Sequence, residues 1–199
     1  MSIRKILKYG DPILRQKSKE VSKVSKKIQI LAEDMLATMY ANNGVGLAAP
    51  QVGELLRMFV IDVSGPKEKY NPIVFINPKI IKKEGAVACN EGCLSFPEVY
   101  TDVRRYKNVV VKALNLKGHP FVIEAKDGEL LARAIQHEFD HLDGILFIDH
   151  ARNRFDADEK LEKQGLPHVE AEKLIDESDL EEIISSTNSV IIDKVEEDD

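Results

Sequence analysis

Between residues 26 and 41 the apolar side chains Ile28, Leu31, Ala32, Met35, Leu36 and Met39 recur every three or four positions, the period of one helix face. Ser25 precedes the run as a candidate cap, and Asn42, Asn43 and Gly44 end it. The pattern then changes. Residues 56–63, 73–76, 79–89, 101–115 and 120–125 are rich in β-branched and aromatic side chains, with turn signals at Gly65 and Pro66, at Gly85, and at Gly118 with Pro120. These segments predict strands. Helical spacing returns at Leu130, Leu131, Ala134, Ile135, His141 and Leu142, introduced by Asp127 as cap and Gly128 as turn and stopped at Gly144. A second, polar helix is expected over 152–163. The order helix, strands, helix, without alternating strand and helix units, predicts an α+β fold in which largely antiparallel sheets pack around a central helix.

Past Gly165 and Pro167 the composition turns acidic and poor in aromatics, so the chain divides into a folded domain over 1–165 and a weakly structured acidic tail over 166–199. Residues 168–199 hold 12 acidic and 2 basic side chains, whereas the rest of the chain carries a net charge of +4 and a cluster of Lys and Arg in its first 30 residues. A basic face at one end suits an anionic partner. With 199 residues, 43% hydrophobic and 31% charged, the chain has the composition of an ordinary globular protein with room for one full core. Its start has charge but no apolar run of signal-peptide length, and no segment approaches the ~20 apolar residues of a membrane span, so the cytoplasm is the expected compartment. In a reducing compartment Cys89 and Cys93, four apart, read as a ligand or a buried thiol in preference to a disulfide.

Chemistry enters with residues 137–141, HEFDH. His137 and His141, at i and i+4, lie on one helix face and can aim two imidazoles at one metal ion, with Glu138 about 100° round the helix beside it. The metal acidifies a water and the carboxylate takes its proton, which predicts metal-assisted hydrolysis by a central, metal-binding HExxH helix. A catalytic site of this kind needs a third protein ligand. Two sources are open: a downstream carboxylate, Asp143, Asp149 or Asp156, or the thiolate of Cys93 in NEGCLSFPE, where Gly92 permits a tight turn and Pro97 stiffens the exit. The remaining informative string is GVGLAAPQ, residues 44–51, a glycine-rich loop that allows close backbone approach and ends in Gln51, whose amide can donate to a developing oxyanion. It lacks the Gly-Lys-Ser/Thr ending of a phosphate loop.

GVGLAAPQ, EGCLS and HEFDH, in this order and at these separations, resemble the peptide deformylases, a similarity that spans roughly residues 3–150 and includes Gly-Asp-Pro at 10–12. The resemblance implies a mononuclear hydrolase that removes the N-formyl group from the initiator methionine of nascent chains. One divalent metal per chain is implied, with Fe²⁺ native and Zn²⁺, Ni²⁺ or Co²⁺ as substitutes. Cys93, His137 and His141 would be its ligands and Glu138 the general acid/base. Gln51 and the backbone N–H of Leu94 would form the oxyanion hole, Val45 and Gly46 would hold the substrate backbone, and Leu130 and Ala134 would line the methionine pocket. Implied partners are N-formylmethionyl peptides and, transiently, the ribosome, with neither DNA nor a membrane; monomer and homodimer both stay open. Arg133, a long cation beside Ala134, and the acidic tail depart from the short members of the family. A zinc endopeptidase would take a downstream carboxylate as ligand, and a structural Cys₂His₂ zinc module would use both cysteines and leave Glu138 and Gln51 without a task.

Overall fold

The computed structural model describes residues 1–65, 69–170, 173 and 175. Along the described residues run α1 (Lys26–Ala41), β1 (Gly46–Ala48), β2 (Met58–Ile61), β3 (Ile73–Glu84), β4 (Val87–Cys93), β5 (Phe96–Arg105), β6 (Asn108–Leu114), β7 (Pro120–Ala125), α2 (Leu130–Leu142) and α3 (Arg154–Lys163). Five strands form an antiparallel sheet in the order β1-β2-β3-β6-β7, and β4 pairs with β5 in a separate antiparallel ribbon. The mixed helix and antiparallel-sheet class expected from the element order is the class observed.

Two layers of side chains explain why β2, read as Met-Phe-Val-Ile, is buried at every position. Successive residues of a strand point to opposite faces. Met58 and Val60 pack with Leu31, Met35 and Met39 of α1, while Phe59 and Ile61 pack with Ala132, Ile135 and Leu142 of α2. With helices on both sides, neither face of the strand needs polar residues. Each fully buried Phe or Ile here stabilises the fold by roughly 1.5–3 kcal/mol. The ribbon β4–β5 builds a third cluster, in which Phe96, Val99 and Val103 meet Phe147, Ile148 and Leu161. α2 therefore has the large sheet against one side and reaches the ribbon through its histidines.

Two strand expectations are corrected. Residues 73–76 and 79–89 are not two separate strands: β3 runs on through Pro78, and the chain turns at Gly85. The register shifts between Ile76 and Lys79, so a proline without an N–H falls at an irregularity of the ladder. Asn77 takes the left-handed conformation there, and its amide exchanges two hydrogen bonds with the Val21 backbone. Conversely, 101–115 is two strands in two sheets, although no glycine or proline breaks it. The break at Tyr106 is made by a side chain from elsewhere: Gln136 of α2 accepts from the Tyr106 N–H and donates to its carbonyl, both at 2.9 Å, in place of a strand partner.

The helices stand where periodicity places them, with different caps. Ser25 is the N-cap of α1 but makes no side-chain capping bond. Asp127 does not cap α2; it and Gly128 form a turn with φ of 58° and 67°, and the cap position belongs to Glu129. Gly144 ends α2 at φ 72°, and a Cβ there would run into the Arg15 carbonyl. The polar helix expected over 152–163 is α3, capped by Asn153. Of the acidic segment from 166 onward, residues 166–170 lie against the body: the Tyr9 hydroxyl donates to the His168 carbonyl, and Val169 is buried. Apart from Lys173 and Ile175, the rest of that tail lies outside the described residues.

Candidate active site

His137 and His141 occupy one face of α2 and Cys93 ends β4, 48 residues away from His141 in sequence. One donor atom from each of the three lies within 4.8 Å of the others, and Cys93 Sγ is 3.3 Å from His141 Nε2. This spacing and the thiolate-plus-two-imidazole chemistry fit a single transition-metal ion. The downstream carboxylates that the sequence leaves open are engaged elsewhere: Asp143 by Arg57, Asp149 by Arg15 and Asp156 by Lys160. Cys89 stands outside the trio, and burial, with Glu91 beside it, pushes its thiol up to about 11, which keeps it protonated. Both cysteines are free.

The trio sits at the floor of a cleft of about 660 Å³. Val45, Gly46, Gln51, Leu94, Leu130, Ala134 and Glu138 all line it together with Cys93 and His137, and His141 lies just beneath. The residues that the family resemblance implies are thus brought to one place. Arg133 lines the same cleft, with its Nε buried and without a hydrogen-bond partner.

The backbone accounts for the glycines of GVGLAAPQ. A Cβ on Gly44 would lie 2.7 Å from Leu94 Cδ1, and one on Gly46 would meet the Glu138 carboxylate, with Cδ at 2.9 Å. β1 passes so close to Glu138 that only glycine fits. If Glu138 acts in the reaction, Gly46→Ala is expected to push its carboxylate aside and to lower kcat by roughly 10²-fold, the cost of a displacement of about 1 Å in such a group. Metal content should stay at the wild-type value. A variant with unchanged kcat would show that the carboxylate has room to move.

Gln51 is oriented before any substrate arrives. Its Oε1 accepts from the Ala48 N–H at 2.8 Å, which turns Nε2 toward Cys93 Sγ at 3.3 Å and Ser95 Oγ at 3.2 Å. The irregular N-terminal segment fixes both loops, since Leu7 N donates to the Gln51 carbonyl, Tyr9 N to the Ser95 carbonyl and Lys8 Nζ to the Leu94 carbonyl.

A buried charge network behind the histidines was not foreseen. His137 Nδ1 donates to Glu91 Oε2 at 3.0 Å, which leaves Nε2 free to face the cleft. Arg105 holds both Glu91 oxygens at 2.9 Å and reaches Asp140, which also accepts from His150. Burial alone would raise the Glu91 and Asp140 carboxyls, but the Arg105 guanidinium outweighs it and holds both well below the usual carboxylate range. Glu91 and Asp140 lie inside the EGCLS and HEFDH strings, which is the signal of them that the sequence holds. Arg105 had no local signal, because its partners come from two other elements. Glu138 differs: burial, opposed by His137, pushes its carboxyl up to about 7, and its Oε2 is buried without a partner.

Residues 3–156 match the family model described as Polypeptide deformylase. The chain is 52% identical to the peptide deformylase of Clostridium botulinum (strain Alaska E43 / Type E3) over 149 residues, which cover 75% of this chain and 97% of that protein. It is also 52% identical to the peptide deformylase of Endomicrobium trichonymphae, over 75% of this chain and 87% of the relative. Among solved structures, it is similar to a peptide deformylase from Synechococcus elongatus in complex with actinonin, with TM-score 0.77, 42% identity and coverage of 85% of this chain and 88% of that one. The enzyme from Thermotoga maritima aligns with TM-score 0.72 and 40% identity, over 77% of this chain and 100% of its own. The chain belongs to the peptide deformylase family, the hydrolases that remove the N-formyl group from nascent polypeptides.

Proposed function

We propose that Cys93, His137 and His141 hold one divalent metal and that Glu138 serves as general acid/base for hydrolysis of the formyl amide. The observation that carries this reading is the convergence of three ligand atoms within 4.8 Å beside a buried carboxylate that has one oxygen without a partner. When bound, the cation supplies Lewis acidity and makes the attacking water easier to deprotonate. Glu138 accepts the proton as water adds to the formyl carbon, then delivers it to the amide nitrogen as the C–N bond breaks, giving formate and a free methionyl amine. Gln51 Nε2 and the Leu94 N–H donate to the oxygen that gains charge, at no cost of reorientation because Ala48 has already fixed the Gln51 amide. The Val45 and Gly46 backbone holds the peptide in extended form, and Leu130 and Ala134 take the methionine side chain.

The mixed donor set suits Fe²⁺ and Zn²⁺ alike; Fe²⁺ is proposed as the native ion, with Zn²⁺, Ni²⁺ or Co²⁺ able to replace it. Nascent chains imply action in the cytoplasm next to ribosomes, whose anionic RNA suits the basic N-terminal face of the body. No helix among the described residues is long and apolar enough to cross a membrane. The test is an anaerobic assay on formyl-Met and acetyl-Met peptides with metal analysis before and after chelation. Expected are about one metal per chain, turnover of the formyl peptide only, loss of activity with the metal, and its return with Fe²⁺. Full activity in metal-free protein would overturn the proposal.

A further inference from the structure

The cleft continues past the three ligand residues onto the β4–β5 ribbon. Side chains of a strand alternate between two faces. In the ribbon Glu91, Thr101 and Val103 are buried, while Asn90, Gly92 and Tyr100 belong to the outward face and line the cleft. Glu98, in the left-handed conformation at φ 57°, is exposed and lines it too.

Gly92 and Tyr100 are paired directly across the ribbon, and a Cβ on Gly92 would stand 2.5 Å from Tyr100 Cε1 and 2.6 Å from Cδ1. Glycine at 92 thus lets the phenol ring lie against β4, one residue from the ligand Cys93. Tyr100 is nonetheless 54% exposed, and neither it nor the Glu98 carboxylate makes a hydrogen bond or an ion pair with any described residue. An open aromatic ring at the mouth of a cleft, with an uncommitted carboxylate two residues away, suits a planar cation. A guanidinium stacks on such a ring and pairs with such a carboxylate.

The substrate can supply that cation. β1 and β4 are both edge strands and both line the cleft, so an extended peptide held by Val45 and Gly46 runs beside β4. Its side chains alternate in direction. The inner face of β4 looks onto α2, where Glu91 meets His137, and the methionine side chain is directed to that side, at Leu130 and Ala134. The residue after methionine is then directed to the outer face, where Tyr100 and Glu98 stand.

We propose that Tyr100 and Glu98 are specificity-determining residues that favour arginine, and lysine next, immediately after the formyl-methionine. The inference rests on the deformylase reading and on the methionine pocket proposed above. The other cations of the cleft stand on other walls: Lys8 Nζ donates to the Leu94 carbonyl, and Arg133 is on α2 beside Ala134.

The test measures kcat/KM of full-chain, metal-loaded protein on four peptide amides: formyl-Met-Arg-Ala, formyl-Met-Ala-Arg, formyl-Met-Glu-Ala and formyl-Met-Ala-Ala. Arginine in second place should raise kcat/KM about fivefold to tenfold over alanine, mainly through KM, as an exposed cation–π contact and an exposed ion pair together do. Moved to third place it should give no gain. The ratio of the second-place arginine and alanine peptides is read within each variant, so any loss of folded protein cancels. It should fall to about twofold or threefold in Tyr100→Ala and in Glu98→Gln, and survive in Tyr100→Phe, which keeps the ring. Equal values for all four peptides, or a ratio that ignores both substitutions, would overturn the inference while leaving the deformylase reading intact. A preference for glutamate would overturn it as well, by making Lys8 and Arg133 the determinants. Failure to hydrolyse any of the four would overturn the deformylase reading and this inference with it.

Discussion

Glu138→Gln is expected to keep the metal and to lose about 10²–10⁴ of kcat, the usual worth of a positioned general acid/base. The substitution preserves shape in a position where shape is constrained, since the carboxylate lies directly against Gly46. It removes the only property the reaction requires, the ability to take and return a proton. KM for a formyl-Met peptide should change little, because Leu130, Ala134 and the β1 backbone are untouched. The pH profile gives a second reading. Burial lifts the Glu138 carboxyl to about 7 in the metal-free site, and a nearby cation draws it back down. The base form is lost as pH falls through the value the cation sets, which lies below that of the metal-free site, so wild-type kcat should decline on the acid side at a pH below about 7. In Glu138→Gln that limb should vanish. A variant that lost its metal would instead make Glu138 a structural support of the ligands.

The second large effect is on stability. Arg105→Met should destabilise the fold by about 3–5 kcal/mol, the cost of leaving buried charge without its partner, because Glu91 and Asp140 would both lose the guanidinium. Urea unfolding of metal-free protein measures it. The sign of the pH dependence separates this cause from lost packing. In the wild type both carboxyls are held below their unfolded values, so their contribution is present at neutral pH and is lost as pH falls through the folded values. Without Arg105, burial raises them above the unfolded values, and the variant gains stability relative to the wild type as pH falls. The gap should narrow between neutral pH and pH 5. A gap independent of pH would mean that Arg105 acts through its volume alone. Metal affinity should also fall, since Glu91 would no longer be fixed against His137.

What could be read without coordinates was local. The helices at 26–41 and 130–142 follow from a 3.6-residue period, which needs no knowledge of the partner it packs against. The placing of His137 and His141 on one face follows from the same geometry. The need for glycine at 44 and 46 was legible as a request for close approach, though not what is approached: Leu94 and Glu138 came only with the fold. The strands were legible as segments and not as pairings. The segment 101–115 reads as continuous because a β-branched sequence is equally content in either sheet, and where the chain changes sheets Gln136, from a helix 30 residues on, occupies the Tyr106 backbone.

By itself, then, the sequence determined the α+β class, the two-histidine helix with its carboxylate and the side-chain amide of Gln51 at the end of the glycine-rich loop, because each depends on local pattern. Tertiary structure brought Cys93 and not Asp143, Asp149 or Asp156 beside the histidines: Asp143 and Asp149 find their cations through the fold, and Asp156 pairs with Lys160 within its own helix. It alone assembled Glu91, Arg105, Asp140 and His150 behind the site, and it alone left the Tyr106 hydroxyl without a partner. The physical reason is common to all three. Whether a buried polar group is satisfied depends on which distant elements surround it, and a one-dimensional pattern records which faces are apolar but not which faces meet.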